Sequence, residues 1–299
     1  MQKFDIVIVT EDRYDNIIAS DENETNILLE DSIIQKAFER KGMKTFRTSW
    51  SNPEFDWSSS KLVFISTTWD YFDRFPEFSR WLESVKNQSV LINPYDTLTW
   101  NIDKHYLSDL NDVGINIPKT IFIEKGEHKT LSQLFDESGW EEAVLKPAVS
   151  GAGRHTYRLN SNNFGDYEKV FGELLAEESM MFQEFQKNVL TKGEVAHMFM
   201  GGEYTHSILK IAKKGDFRVQ DDFGGTVEFY NASKTEIEFS KKVVDNCGKK
   251  TFYARVDLIF DNDNKLAVSE LELIEPELWF RFKEDAADVL AESVFNHFF

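Results

Sequence analysis

The stretch from Arg255 to Pro276, RVDLIFDNDNKLAVSELELIEP, holds residues whose types and spacing suit chemistry on a charged ligand. Apolar and charged positions alternate, the turn cluster Asp261-Asn262-Asp263-Asn264 interrupts them, and the alternation resumes, which is the pattern of a β-hairpin. A turn centred between Asn262 and Asp263 sets Arg255 opposite Glu270 and Asp257 opposite Val268. Side chains on a strand alternate faces, so Asp257, Glu270 and Glu272 share one surface with Arg255, a conclusion that a one-residue slip would break. Carboxylates gathered on one face repel one another unless a cation sits among them. Hard oxygen donors with no His or Cys beside them suit Mg²⁺, or Mn²⁺ as an alternative, better than zinc. The competing reading is a solvated acidic face balanced by Arg255 and Lys265.

Other candidate groups lie upstream. The apolar run Val144-Leu145-Lys146-Pro147 is followed by Ser150-Gly151-Ala152-Gly153-Arg154. Glycines at 151 and 153 allow backbone N–H groups to point at an anion, and Lys146 adds a point charge beside them. Gly-x-Gly alone is more often an ordinary turn, and no lysine follows at the spacing of a G-x-x-x-x-G-K-S/T phosphate loop. Thr68-Trp69-Asp70-Tyr71, with Arg74 close behind, follows a predicted parallel strand, the end at which open α/β sheets bind ligands. Its hydroxyl, aromatic and charged groups suit a polar small molecule; the alternative is a helix-entry loop capped by Asp70 or Asp73. Lys104 on an amphipathic helix and Gln183-Glu184-Phe185 at a strand end would each pass, alone, for ordinary surface and strand positions.

These groups need elements to position them. Strand and helix alternate over the first third: strands at Phe4–Val9, Met43–Thr48, Leu62–Ser66 and Val90–Ile92, helices at 26–41 and Phe75–Val85. The pattern predicts an open α/β sheet with helices on both faces. A helix is expected over Thr97–Val113, carrying Lys104. Strands at Lys119–Ile123, Glu142–Pro147, His155–Leu159 and Met180–Phe185, with helices at Leu131–Ser138 and Tyr167–Leu175, predict a small α+β lid. A long hairpin is expected over Gly193–Ala212, a loop over 213–230, a helix at Glu236–Lys249, the 255–276 hairpin and a last helix at Glu284–Phe295. The division is 1–95, 96–185 and 186–299.

Acidic residues outnumber basic ones 52 to 34, a formal net charge of −18, so the overall field repels nucleic acid and anionic membrane. The N-terminal apolar run is too short for a signal peptide and no window is apolar enough to span a membrane, so a cytoplasmic protein is expected. Cys247, the one cysteine, excludes an intrachain disulfide and reads as a packed small residue, and the six histidines are scattered without an assigned role.

The order of Trp69-Asp70-Tyr71, Asn93-Pro94 through Trp100-Asn101 and Lys104, Val144–Pro147, the 150–154 loop, Gln183–Phe185, and Arg255-Val256-Asp257 with Glu270-Leu271-Glu272 resembles the ATP-grasp superfamily. The likeness is to the glutathione synthetase type, nearest its cycloserine synthetase-like branch, and covers most of the chain. It implies an ATP-grasp fold with an N-terminal open α/β (pre-ATP-grasp) domain, a small lid and a C-terminal antiparallel-sheet domain. By that resemblance Lys104 and Lys146 would meet the ATP phosphates, with Ser150, Gly151 and Gly153 closing over them. Gln183, Glu184 and Phe185 would hold the adenine and Glu194 the ribose. Asp257, Glu270 and Glu272 would hold one or two Mg²⁺, Glu272 standing where the glutathione synthetase pattern has Asn. Arg218 and Arg255 would face the transferred phosphoryl group, and Thr68–Tyr71 the substrate. The implied reaction is ADP-forming ligation of a small carboxylate and an amine through an acylphosphate, on an amino-acid-like or peptide substrate; family members are often homo-oligomers. Ring closure, as in cycloserine synthesis, and a non-catalytic ATP-binding sensor are the alternatives. A dehydrogenase is disfavoured, because Thr10-Glu11-Asp12-Arg13 stands where G-x-G-x-x-G would follow the first strand.

Overall fold

A computed structural model describes residues 3–213 and 224–299. The first unit runs β1 (Phe4–Thr10), α1 (Glu22–Arg40), β2 (Thr45–Ser49), β3 (Ser60–Ile65), α2 (Phe75–Val85) and β4 (Val90–Ile92). Its four strands are parallel in the order β2-β1-β3-β4. Alternate residues of β1 and β3 face opposite layers, which is why residues 6–9 and 62–65 are apolar without interruption. Ile6, Ile8, Leu62 and Phe64 pack on Ile33, Ile34 and Phe38 of α1. Val7, Val9, Val63 and Ile65 pack on Phe78, Leu82 and Val85 of α2.

The helix expected over Thr97–Val113 is two helices, α3 (Tyr95–Asn101) and α4 (Tyr106–Asp112). Between them the Lys104 N–H donates to the Ala148 carbonyl (2.9 Å), so a long-range bond takes over where the helical ladder stops. Neither Gly nor Pro marks the break.

The second unit comprises β5 (Thr120–Ile123), α5 (Leu131–Ser138), β6 (Glu142–Pro147), β7 (Tyr157–Asn160), α6 (Phe164–Glu177) and β8 (Met180–Glu184). Its antiparallel sheet has the order β5-β8-β6-β7. Leu131, Leu134, Phe171 and Leu175 of the helices cover Ile123, Leu145, Leu159 and Phe182 of the strands. A reciprocal Thr130–Gln133 capping box starts α5.

The third unit begins with a short α7 (Val189–Lys192), then β9 (Glu194–Met200), β10 (Glu203–Ile211), β11 (Thr226–Phe229), α8 (Lys234–Asn246), β12 (Tyr253–Phe260), β13 (Leu266–Glu272) and α9 (Asp285–Phe298). Its sheet is antiparallel, in the order β11-β10-β9-β12-β13. β11 occupies part of the expected 213–230 loop, pairing Phe229 with Ile208.

The β12–β13 register differs from the expected one. Asp257 pairs with Glu270, not Val268, and Arg255 pairs with Glu272, not Glu270, with a bulge between the Asp257 and Leu258 pairs. The Asp261 carboxylate accepts from the Asp263 and Lys265 N–H groups, and Asn264 takes a left-handed φ of 61°, so the turn is longer than a two-residue loop. The shift at Arg255 and Asp257 is two residues, an even number, and Asp257, Glu270 and Glu272 remain on Arg255's face.

Asn93, fully buried, joins the first and third units. Its amide donates to the Tyr253 and Leu273 carbonyls and its oxygen accepts from the Phe252 N–H. No helix among the described residues is long and apolar enough to cross a membrane.

Candidate active site

A cavity of about 300 Å³ opens where the three units meet. Its wall from the third unit is a charged face of the antiparallel sheet. Glu194 on β9 lies opposite Lys210 on β10, and Asp257 on β12 lies opposite Glu270 on β13. Lys210 pairs with both Glu194 (2.5 Å) and Asp257 (2.7 Å). Arg255 grips both oxygens of Asp257 at 2.9 Å and also bonds Glu272. Lys104, from the break between α3 and α4, pairs with Glu270 at 2.6 Å and donates to the Ser150 carbonyl at 2.8 Å.

These neighbours set the protonation states. Burial would lift Asp257, but Arg255 and Lys210 outweigh it and bring its pKa to about 2. Burial likewise opposes the charge on Glu270, and Lys104 and Lys146 overcome it, leaving its pKa lowered. Glu272 goes the other way. Burial raises it to about 8, because Arg255 is shared with Asp257 and because Asp257 and Glu270 add repulsion. Lys104 is raised despite burial by Glu270.

Lys146 differs from these. It projects from β6 into the cavity and makes no hydrogen bond or ion pair among the described residues. Burial, with Lys104 adding to it, lowers its pKa against the pull of Glu270.

The glycine loop docks against the first unit. A Cβ on Gly151 would lie 2.6 Å from a Phe72 ring carbon, so the ring fills the space a side chain would need. Ala152 and Gly153 take left-handed φ values of 48° and 68°. Arg154 holds the loop's end through a two-pronged bond to Glu178 at 2.8 and 2.9 Å. Trp69 and Tyr71 line the cavity beside this loop, and the Trp69 indole donates to the Glu275 carbonyl (2.9 Å). Gln183, Glu184 and Phe185 line its far end; the Gln183 amide donates to Thr120, and Phe185 lies under the Arg158 guanidinium at 3.9 Å.

Of the residues singled out in the sequence, Lys104, Lys146, Ser150, Gly151, Gly153, Gln183, Glu184, Phe185, Glu194, Arg255, Asp257, Glu270, Glu272, Trp69 and Tyr71 line this one cavity. Thr68 and Asp70 do not: Thr68 is buried, and Asp70 accepts from the Trp50 indole and from Arg74. Arg218 lies outside the described residues. Lys210, Glu275 and Glu277 are charged cavity residues that escaped the sequence reading. Lys210 is a lone charge in the apolar strand Ile208–Ile211; a Gly201-Gly202 turn alone would set Leu209 opposite Glu194, and a bulge between Tyr204 and His206 brings Lys210 there instead. Glu275, just before Pro276, carried no signal beyond its nearness to the acidic strand.

The expected metal ligands are hard oxygen donors on one face, which suits Mg²⁺ in kind. Among the described residues, however, no three acidic, His or Cys side chains already close around a common point. The mutual repulsion is relieved instead by Arg255, Lys210 and Lys104, each of which turns a carboxylate toward itself.

Comparison with known proteins agrees with this architecture. Residues 107–270 match the family model described as prokaryotic glutathione synthetase, ATP-grasp domain. Residues 6–93 match that of the D-cycloserine synthetase DcsG N-terminal domain. The chain is 27% identical over 264 residues to the cycloserine biosynthesis protein DcsG of Streptomyces lavendulae, covering 82% of this chain and 86% of that protein. The crystal structure of D-cycloserine synthetase DcsG superposes with a TM-score of 0.86 at 23% identity, over 98% of this chain and 99% of that one. D-alanine–D-alanine ligase from Bacillus anthracis, complexed with ATP, superposes at 0.67 and 15% identity, over 97% and 96% of the two chains.

Proposed function

The chain belongs to the prokaryotic glutathione synthetase ATP-grasp family, and from that premise we propose which groups carry the chemistry and on what class of substrate. It is an ATP-grasp ligase, of a family that forms carbon–nitrogen bonds and uses ATP with Mg²⁺. The reading is that a small amino-acid-like or peptide carboxylate attacks the γ-phosphorus of ATP. The bond to ADP breaks, an acylphosphate forms, and an amine then displaces phosphate, which leaves with the electron pair.

Phosphoryl transfer asks the protein for positioning and charge neutralisation. Lys104 and Lys146 would neutralise the phosphates, and the Ser150–Gly153 backbone would close over them. Gln183–Phe185 would take the adenine and Glu194 the ribose. Asp257, Glu270 and Glu272 would hold one or two Mg²⁺, which when bound would draw charge from the phosphate oxygens. Arg255, with Arg218, would face the transferred group. The glycine loop seated on Phe72 would keep water from the acylphosphate. Lys146 is the observation that carries the reading: an ammonium without an ion pair among the described residues, lining a cavity with the glycine loop and carboxylates, calls for an anion.

The test is ADP release from Mg²⁺-ATP with a panel of amino acids and short peptides, with hydroxylamine added to trap the acylphosphate as a hydroxamate. Release that depends on one acid–amine pair, with hydroxamate formed from the acid alone, is the expected result. Tight ATP binding without turnover on any pair would favour a sensor. Ring closure is the second reading, favoured by the match of residues 6–93 to a cycloserine synthetase domain. It requires ADP release with a single substrate carrying both groups, and a product lighter by one water.

A further inference from the structure

The acidic side chains around the cavity are matched with cations one by one. Glu194, Asp257, Glu270 and Glu272 have the partners given above; Glu184 lies 3.6 Å from Lys119, and Glu277 bonds Arg281. Glu275 lines the same cavity and, among the described residues, has no ion pair and no hydrogen bond from another residue's side chain; only its own backbone N–H reaches the carboxyl. The cations that bear on it most, Lys104 and Arg255, are engaged by Glu270 and by Asp257 with Glu272.

Its backbone is fixed on both sides. The Glu275 carbonyl accepts from the Trp69 indole, the preceding Ile274 carbonyl accepts from the Tyr253 hydroxyl at 2.6 Å, and Pro276 follows. The side chain is therefore held beside Trp69 and Tyr71, on whose hydroxyl Glu275 acts more strongly than any other charge. Burial, with repulsion from Glu270 adding to it, outweighs the pull of Lys104 and Arg255 and raises its carboxyl pKa to about 8. A carboxyl in such a place stays protonated at neutral pH until a cation arrives to hold its anionic form, as Lys146 awaits an anion.

We infer that Glu275 is a specificity-determining residue that binds the ammonium group of an amine-bearing substrate, with Trp69 and Tyr71 flanking it. The inference rests on the carboxylate–amine ligase reading and narrows its substrates to those that present a primary ammonium. Two sources share that chemistry: the attacking amine, and the α-ammonium of an amino acid supplying the carboxylate. A cation beside aromatic rings gains a further attraction when desolvated.

The experiment takes the full chain and the pair of L- or D-amino acids that gives the fastest ADP release, and compares wild type with Glu275→Gln and Glu275→Asp. Losing a charge-assisted bond to a half-buried group raises KM for the ammonium-bearing substrate about 10- to 100-fold in Glu275→Gln, with partial recovery in Glu275→Asp. KM for the other substrate and the affinity for an unreactive ATP analogue stay within about threefold. A rise confined to the acceptor amino acid assigns the attacking amine; a rise confined to the acid, also seen in hydroxamate formation, assigns its α-ammonium. The desamino analogue of the affected substrate binds both proteins equally weakly. Unchanged KM values in Glu275→Gln, or an equal loss for both amino acids and for the ATP analogue, would overturn the inference while leaving the ligase intact. Wild type that releases no ADP with any pair, or with a single substrate carrying both groups, overturns the carboxylate–amine reading and this inference with it.

Discussion

Lys146 and Asp257 mark the two extremes of charge in the site. The first is a cation disfavoured by its surroundings, the second an anion held near a pKa of 2 by Arg255 and Lys210. Lys146→Met keeps the length and removes the charge. A single preorganised electrostatic group is worth about 10²–10³ in rate, so kcat for pair-dependent ADP release falls by that factor while thermal stability holds or rises, since a half-buried ammonium without an ion pair opposes folding. Steady-state kinetics and a melting curve check both halves. A variant that keeps wild-type turnover would remove Lys146 from the chemistry.

At the scale of elements, the contact between the glycine loop and Phe72 makes a second prediction. Gly151→Val places carbon where the Phe72 ring stands, so the loop is displaced and kcat/KM for ATP falls by about tenfold or more. Phe72→Ala in the same chain restores much of it, because the obstacle is gone; a double variant no better than Gly151→Val would mean that the glycine serves something else. The strands give a third. His197 on β9 and His206 on β10 are fully or almost fully buried, and burial lowers both from 6.5 to about 4. A depressed pKa means that the unfolded chain takes up the proton first, so stability is complete above about pH 6.5 and declines toward pH 4, by up to about 3 kcal/mol for each ring. His197→Gln removes one share, and its Tm between those pH values falls less steeply than that of wild type.

Elements also show what was legible beforehand. The first unit reads from its sequence because its central strands are short uninterrupted apolar runs and its helices carry a helical apolar stripe, both local signals. The face shared by Asp257, Glu270 and Glu272 was legible although the pairing was not, since a bulge and a longer turn altered register by an even step. The break at Lys104 was not legible, because Ile102-Asp103-Lys104-His105 is acceptable helix sequence and the competing bond comes from Ala148, distant in the chain. Glu275 was obscure for a related reason: a lone Glu acquires meaning only once every neighbouring acid is seen to have a cation.

The whole molecule depends on a few buried links between its units. Asn93 satisfies three buried backbone groups from β12, its approach and the residue after β13. Asn101 does the same for Leu271 and Leu273. Asn93→Ala leaves those groups unpaired in a dry setting, and the expected loss is about 3 kcal/mol in urea unfolding. Because these links fix the first unit against the hairpin carrying Asp257 and Glu270, the variant also weakens binding of an ATP analogue. A fall in stability alone would assign Asn93 to folding and not to assembly of the cavity.

The bond between Lys104 and Glu270 has one more implication. If that lysine turns to a triphosphate, it frees a carboxylate for Mg²⁺; if Mg²⁺ claims the carboxylate, it frees the lysine. Each arrival lowers the barrier the other must meet, and by thermodynamic reciprocity the help is equal in both directions. Calorimetry should find the ATP analogue binding several-fold more tightly with Mg²⁺ present, and Glu270→Gln, which dissolves the competition, should shrink that synergy without abolishing nucleotide binding.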